Sequence, residues 1–293
     1  MNTLYIIGNG FDLHHNLQTS YCDFHRYIKK NNKDLQNTLE EYFDFKIRND
    51  KLWENFEEDL ATFDSRSFFD KNNHIDVMDE SFRRNFMFGL EDDLKEQTEQ
   101  LISDIRIAFG DWLNSIDIES TSKKLPITQN AFFINFNYTL VLEHVYKIQE
   151  ENILHIHGDI NNDSELLIFG HNIVMEEEPE LDEDGNSSRT LYTDSESAAK
   201  HPFHEFYKPV PNIISENSKA FKLASNVKNI FILGHSLNQI DIPYFKEIII
   251  HTNNPLWNVS YYNNDERKRH LSVLNQIGIP NELIKMLRLK DYK

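Results

Sequence analysis

The chain has 293 residues, of which 39% are hydrophobic, so it is long enough to bury one large core or two smaller ones. Its formal net charge is −18, from 48 acidic against 30 basic residues, which disfavours non-specific attraction to nucleic acid or to an anionic membrane. The lone cysteine, Cys22, excludes an intrachain disulfide, and no apolar run approaches the roughly 20 residues of a membrane-spanning helix. Because the amino terminus lacks the basic flank and cleavage site of a signal peptide, we expect a cytoplasmic protein. The charge makes nucleic acid the less favoured partner, and we expect no membrane partner.

The first predicted elements are a strand, a turn and a helix. Residues 4–7 form a short apolar run with β-type composition, and this run ends at Gly8-Asn9-Gly10. Residues 20–30 then carry aromatic and aliphatic side chains at helical spacing.

The next segment is predicted to be entirely helical. From about residue 34 to residue 114 there is no convincing strand pattern, whereas helical periodicity recurs at residues 52–63 and 90–112. We therefore predict a helical insertion at residues 34–125 within a single domain spanning residues 1–293.

The rest of the chain alternates between strand-like and helical patterns. Strands are predicted at residues 131–136, 153–158, 166–169 and 229–234, with the last strand at 257–262. Helices are predicted at 140–148, 242–250 and 266–276, and a helical section lies around residues 203–224. Runs that are apolar on both faces indicate a mostly parallel sheet covered by helices on both sides, which is an α/β fold. The acidic segment 175–185 has no apolar period and is predicted to be a mobile surface loop or lid.

Polar turns follow four of these strands. In a parallel sheet such turns gather along the carboxyl edge, where doubly wound folds bind ligands. The four turns are Gly8-Asn9-Gly10-Phe11-Asp12, Asn135-Phe136-Asn137-Tyr138-Thr139, His157-Gly158-Asp159 and Gly234-His235-Ser236-Leu237. Together they predict one ligand site.

The side chains of these turns suggest distinct roles. Gly8 and Gly10 lack a Cβ, so their N–H groups can approach a phosphate, although a tight structural turn explains the same pattern equally well. His157 has the chemistry of a general base, and Asn137 has an amide that can orient water or a ribose hydroxyl. Ser236 offers a hydroxyl to a ribose or phosphate.

Other polar residues are better explained structurally. In an extended strand His155 would lie on the same face as His157, and the pair would suit a divalent metal, but a structural hydrogen bond is the favoured role of His155. Asn135 fits a local turn hydrogen bond, and Asp241 fits a helix cap. The basic run at residues 266–270 is interpreted as the solvated face of a helix.

The order of these motifs resembles the AbiH family of phage abortive-infection proteins. The resemblance rests on IIGNGFDLHHNLQTSYCDF, WENFEEDL, FINFNYTLVLEHVY, ILHIHGD and FILGHSLNQID, and it covers most of the chain. More remotely, the same order is similar to sirtuin-like enzymes, in which a glycine loop precedes T-N-Y-D-x-x-L-E, then H-G, then G-x-S-L. The chain departs from that pattern at Thr139, which stands where aspartate is usual, and with one cysteine it cannot form the zinc module of deacetylating sirtuins.

The sirtuin-like resemblance implies a Rossmann-like fold and an activity on NAD without a metal. It implies that Asn137 and His157 are the catalytic pair, and that the cofactor is bound by Gly8, Asn9, Gly10, Phe11, Asp12, Gly158, Gly234, His235, Ser236 and Leu237. The expected function is an antiphage effector that hydrolyses NAD to ADP-ribose and nicotinamide. A phage-derived trigger, a partner subunit and self-association are left open.

Two other functions stay open from the residues alone. A metal-dependent phosphohydrolase or nuclease would use His155, His157 and Asp159. A nucleotide-sensing module would bind a partner through the helical insertion and turn over nothing.

Overall fold

A computed structural model describes residues 1–45, 53, 55–161, 163, 166–176, 179, 181 and 184–292. The chain divides into two compact units. The first comprises Met1–Asp23, Gly110–Ile168 and Pro209–Lys293, and the second comprises Phe24–Phe109 and Phe169–Lys208.

The first unit is built on a six-stranded sheet in which every pairing is parallel. The strands are β1 (Thr3–Ile7), β2 (Phe132–Asn135), β3 (Ile153–His155), β4 (Asn229–Leu233), β5 (Leu256–Ser260) and β6 (Ile284–Leu287). Their order, β3-β2-β1-β4-β5-β6, is that of a doubly wound Rossmann-like fold. The α/β fold class expected from the sequence is therefore confirmed.

Alternate residues of the strands enter two separate hydrophobic clusters, one on each face of the sheet. Leu4 and Ile6 of β1 lie in a cluster that includes Tyr244 and Phe245, whereas Tyr5 and Ile7 lie in a cluster that includes Phe11. Successive strand side chains point to opposite faces, so a strand covered on both sides is apolar at nearly every position. This two-sided burial explains why β1, β2 and β4 are near-continuous apolar runs.

Short helices connect the strands of this unit. They are α1 (Asn9–His14), α7 (Val141–His144), α10 (Val210–Glu216), α11 (Ser218–Lys222), α12 (Ile242–His251) and α13 (Asn264–Gln276). Residues of α10 to α13 belong to the cluster of Leu4 and Ile6, and residues of α1 and α7 belong to that of Tyr5 and Ile7. Helices thus cover both faces, as the sequence predicts.

The elements of the second unit are helical throughout the described residues. The remaining helices are α2 (Tyr21–Asn31), α3 (Lys33–Tyr42), α4 (Phe56–Asp59), α5 (Ser65–Asn72), α6 (Phe86–Asn114), α8 (Thr193–Ala199) and α9 (His201–Glu205). Edge-to-face contacts join Phe24 to Phe56 and to Phe109, with ring centroids 5.2 Å apart in both cases. The predicted helix at 52–63 is α4 followed by the 3-10 turn Leu60–Thr62, and Leu52 itself lies outside the described residues.

Three predictions about elements are wrong. Residues 166–169 form no strand. Their backbone is hydrogen-bonded to the turn after β3, where Ile168 N–H donates to His157 O at 2.9 Å, and not to a neighbouring strand. The helix predicted at 140–148 ends at His144, and Lys147 has a positive φ of 60°. The strand at 257–262 is not the last, because β6 follows it and pairs with β5. This edge strand carries an exposed lysine in a four-residue run, so its hydrophobic pattern is weak.

The acidic segment 175–185 includes residues outside those described, and its predicted mobility is therefore not addressed by the structure. No helix within the described ranges has the length and apolar character needed to cross a membrane.

Candidate functional site

The candidate site lies at the carboxyl edge of the sheet in the first unit. In the order β3-β2-β1-β4-β5-β6, the chain direction of the connections reverses between β1 and β4. Doubly wound folds bind ligands outside the carboxyl ends of the strands at this switch point. The turns after β1, β2, β3 and β4 are those that the sequence analysis selected.

Glycines at the switch point allow two backbones to approach closely. A Cβ added to Gly8 would lie 2.6 Å from His235 Cα, and one added to Gly234 would lie 2.0 Å from Phe11 N. Gly8 N–H donates to Leu233 O at 3.1 Å, and Gly10 N–H donates to Gly234 O at 2.7 Å. The phosphate contacts predicted for Gly8 and Gly10 would have to replace these two bonds.

The predicted Gly8-Asn9-Gly10 turn is the start of helix α1. Gly8 occupies the N-cap position with an extended backbone, so Gly10 lies within the first helical turn. Asn9 donates its amide to Thr19 O at 2.8 Å. Phe11 is fully buried against His15 and Tyr146, so its side chain is part of the core.

Asp12 is the most perturbed acidic group of this edge. Its side chain is 1% exposed, and Thr139 Oγ1 donates to Oδ2 at 2.5 Å. Oδ1 has no hydrogen-bond partner among the described residues. Burial raises the pKa of Asp12 to about 7, although Thr139, Asn137 and His155 favour the charged form. A carboxyl group that titrates near neutral pH in such surroundings is characteristic of functional sites.

His155 and Glu143 form a nearly buried pair beside Asp12. His155 Nε2 lies 2.7 Å from Glu143 Oε1, and Nδ1 lies 3.2 Å from Asn137 O. Burial opposes protonation of His155, but the hydrogen bond to Glu143 and the charges of Glu143 and Asp159 outweigh it, so the pKa of His155 is raised. The Glu143 carboxylate at Nε2 and the Asn137 carbonyl at Nδ1 favour the charged imidazolium, although the Asn135 amide nitrogen also lies 3.5 Å from Nδ1. His155 has the hydrogen-bonded role that the sequence favours.

The two asparagines of the turn after β2 have different partners. Asn135 Oδ1 accepts from the Asn137 N–H at 3.1 Å, which is the local turn bond expected for Asn135. Asn137 Nδ2 donates to Gly8 O at 3.2 Å, and its side chain is 5% exposed. Asn137 thus ties the end of β2 to the end of β1.

His157 lies on the other side of the sheet edge from His155. Its Nε2 is 3.3 Å from the hydroxyl of Tyr244, and its ring packs edge-on against Phe136 and Tyr244. The expectation that His155 and His157 share one face is wrong, because β3 ends at His155 and its alternation does not continue. That Asn137 and His157 reach the same ribose stays a prediction.

The turn after β4 is held by buried polar contacts. Gly234 and Leu237 have positive φ values of 71° and 53°, and Gly234 N–H donates to Ser260 Oγ at 2.7 Å. His235 accepts from the Leu237 N–H at 2.9 Å, and its Nε2 lies 3.5 Å from Asp241 Oδ2. Asp241 stands at the N-cap of α12 without a side-chain cap bond, so the capping role expected for it is wrong.

These contacts belong to a segment that matches a known family. The family model of bacteriophage abortive infection AbiH matches residues 4–261. The chain belongs to the AbiH family. No curated protein and no solved structure matches it.

The match extends from β1 to Tyr261, immediately after β5, and so includes every turn of the candidate site. AbiH membership supports a role in bacteriophage abortive infection.

The basic run of this AbiH chain is not wholly a solvated face. Arg267, Lys268 and Arg269 are exposed, but His270 is 1% exposed, and its ring nitrogens lie 3.1 Å from Ser260 O and 3.2 Å from Ser236 O. Burial lowers the pKa of His270. The solvated interpretation is therefore wrong for His270, which ties α13 to the turn after β4.

Two side-chain contacts of the AbiH site were not predicted from the sequence. Glu143 and Thr139 contact His155 and Asp12, and only their places within the family motif distinguish them from ordinary helix and turn residues. Across the described part of the chain, no three His, Cys, Asp or Glu side chains are arranged to hold a metal ion.

Proposed function

We propose that this AbiH protein is an abortive-infection effector that binds NAD at the carboxyl edge of its sheet and hydrolyses it to ADP-ribose and nicotinamide. The observation that carries the proposal is the buried polar network around Asp12 at the switch point of a Rossmann-like sheet. Sites of this kind in doubly wound folds bind nucleotides.

The sirtuin-like resemblance gives further support. The position that carries aspartate in that motif is Thr139 here, and the Thr139 hydroxyl contacts the carboxylate of Asp12. A carboxyl group thus occupies the neighbourhood of the substituted position, although helix α1 supplies it. The glutamate of the motif corresponds to Glu143, which bonds to His155.

The proposed reaction consumes one water molecule. The water oxygen bonds to C1′ of the nicotinamide ribose as the C1′–N bond breaks, and the electron pair of that bond neutralises the pyridinium ring. A base accepts the proton that the water loses. The resemblance assigns this base to His157 and the orientation of the water to Asn137.

The test is incubation of the purified protein, and of extracts from phage-infected cells expressing it, with NAD, NADP and ATP, followed by chromatography. We expect ADP-ribose and nicotinamide from NAD, and loss of both with Asn137→Ala and His157→Ala. Nucleotide binding without product would instead support the nucleotide-sensing module. Products from ATP that disappear with a chelator would support the phosphohydrolase.

Thermal unfolding of both variants is the necessary control. His157 packs against two aromatic rings, so a loss of activity counts only where the variant still unfolds cooperatively.

A further inference from the structure

The Asp12 carboxyl group has one satisfied oxygen and one unsatisfied oxygen. Oδ2 accepts the Thr139 hydroxyl at 2.5 Å, and the Asn137 side chain lies close enough to favour the carboxylate, but Oδ1 makes no hydrogen bond of normal geometry with the described residues although the residue is 1% exposed. Leaving a buried charged acceptor unpaired is costly, and such atoms in folded proteins call for an explanation. A ligand that donates a proton or hydrogen bond to Oδ1 would supply the missing partner.

The alternative base, His157, is differently placed. Its Nε2 faces the Tyr244 hydroxyl at 3.3 Å, and its ring is enclosed by Phe136 and Tyr244, whose side chains are nearly or fully buried. These contacts fix the ring within the apolar cluster on its side of the sheet. They make His157 a candidate for positioning.

On the basis of the proposed NAD hydrolysis, we propose that Asp12 is the catalytic residue that accepts the proton of the attacking water through Oδ1. The water O–H bond breaks as its oxygen bonds to C1′, the proton passes to Oδ1, and the electrons of the C1′–N bond leave with nicotinamide. The protonated carboxyl group then releases its proton to solvent, which restores the carboxylate.

The charges around Asp12 suit a base that works near neutral pH. The titratable groups that act on its carboxyl are His155 from β3, which favours the carboxylate, and Glu143 from α7, which opposes it. Burial keeps the pKa at about 7, so about half of the molecules carry the carboxylate at that pH. Activity is then expected to fall as pH drops below about 7.

Asp12→Asn is the first test, because it preserves shape and keeps an oxygen for the Thr139 hydroxyl. We expect NAD hydrolysis to fall by roughly 10²- to 10⁴-fold, the usual contribution of a general base. The matched control is Glu151→Gln, which neutralises an exposed carboxylate of the same unit and should leave turnover unchanged.

Thr139→Val is the second test, and it separates Asp12 from His157. Removing the hydroxyl removes a hydrogen bond that favours the Asp12 carboxylate, so the acidic limb of the kcat/KM profile should move to higher pH by about one unit. Thr139→Ser restores the hydroxyl and should return the limb to its original position. If the acidic limb instead reported the pKa of His157, which contacts Tyr244 and not Thr139, the substitution at Thr139 should leave the limb in place.

The outcomes are distinguishable. If the wild type makes no ADP-ribose in purified form or in infected cells, the proposed function fails and this proposal fails with it. If the wild type is active but Asp12→Asn is folded and retains more than a tenth of the activity, or if the Thr139→Val limb does not move, Asp12 is not the base and the proposed function stands. If Asp12→Asn does not fold, the Thr139 pair decides alone.

Discussion

Gly10 and Gly234 are packed backbone against backbone: the Gly10 N–H donates to Gly234 O at 2.7 Å, and a Cβ on Gly10 would lie 2.8 Å from Gly234 Cα. This approach joins the start of α1 to the turn after β4 at the switch point of the sheet. Neither position has room for a side chain.

Alanine at Gly234 is expected to be strongly destabilising. The added Cβ would lie 2.0 Å from Phe11 N, and the φ of 71° is unfavourable for any residue with a Cβ, so we expect a loss of more than about 3 kcal/mol. The matched control is Gly89→Ala in α6, where an added Cβ meets nothing within 4 Å and the helix should gain about 0.5–1 kcal/mol. Urea unfolding measures both. Similar effects at the two positions would contradict the close approach.

The His155–Glu143 pair is expected to stabilise the fold most at low pH. The pKa of His155 is higher in the folded protein than in the unfolded chain, where it is about 6.5. The free energy that the charged pair adds to folding is therefore complete below pH 6.5 and is lost as pH rises through the folded pKa. Glu143→Gln should therefore cost about 1–3 kcal/mol at pH 6 and less at pH 9. Chemical unfolding at the two pH values measures this.

The comparison for that pair is the more exposed pair His251–Glu247 within helix α12, whose atoms are 2.9 Å apart and whose side chains are 21% and 24% exposed, against 10% and 11% for His155 and Glu143. Glu247→Gln should cost no more than about 0.5 kcal/mol at pH 6. An equal cost at both pH values for Glu143→Gln would show that His155 is not charged in the folded protein.

The sequence predicts the central strands well because they are buried on both faces. β1, β2 and β4 are apolar at nearly every position, so their identity requires no knowledge of neighbours. β6 lies at an edge with an exposed lysine, and only its pairing with β5 distinguishes it from a loop. Residues 166–169 show the opposite case, an apolar run that pairs with turns.

The candidate site is only partly predictable for a similar reason. Its turns follow from strand ends, but the Asp12–Thr139 hydrogen bond joins residues 127 positions apart, and no local pattern indicates it. The directions of His155 and His157 depend on where β3 stops, which is set by its pairing with β2. Local sequence supplies the polar groups, and tertiary packing decides which of them meet.

In the second unit, Lys208 and Glu57 form an ion pair. Replacing one partner alone should lower the free energy of unfolding more than replacing both together would suggest. Lys208 Nζ lies 2.5 Å from Glu57 Oε2, with side chains 2% and 20% exposed. Lys208→Met should cost about 3–5 kcal/mol, because it leaves a largely buried carboxylate without its cation. The double variant Lys208→Met with Glu57→Gln should cost less than the sum of the single variants. Additive costs in urea unfolding would show that the two groups do not interact.

Asp12 should make the folded protein less stable as pH rises, independently of any activity. Its folded pKa of about 7 lies above the unfolded value of 3.8, so the folded state binds the extra proton between these values. The free energy of unfolding therefore falls with pH across this window, by about 4 kcal/mol in total, since each pKa unit corresponds to about 1.4 kcal/mol. Asp12→Asn carries no titrating group, so its stability relative to the wild type should rise by about that amount between pH 4 and pH 8. The difference between the two proteins cancels the titration of groups that do not interact with Asp12, which leaves out His155 and Glu143, and Glu151→Gln should show little change over the same range. A stability difference between Asp12→Asn and the wild type that does not vary with pH would mean that Asp12 ionises normally in the folded protein, and it would remove the basis for its proposed role as a base.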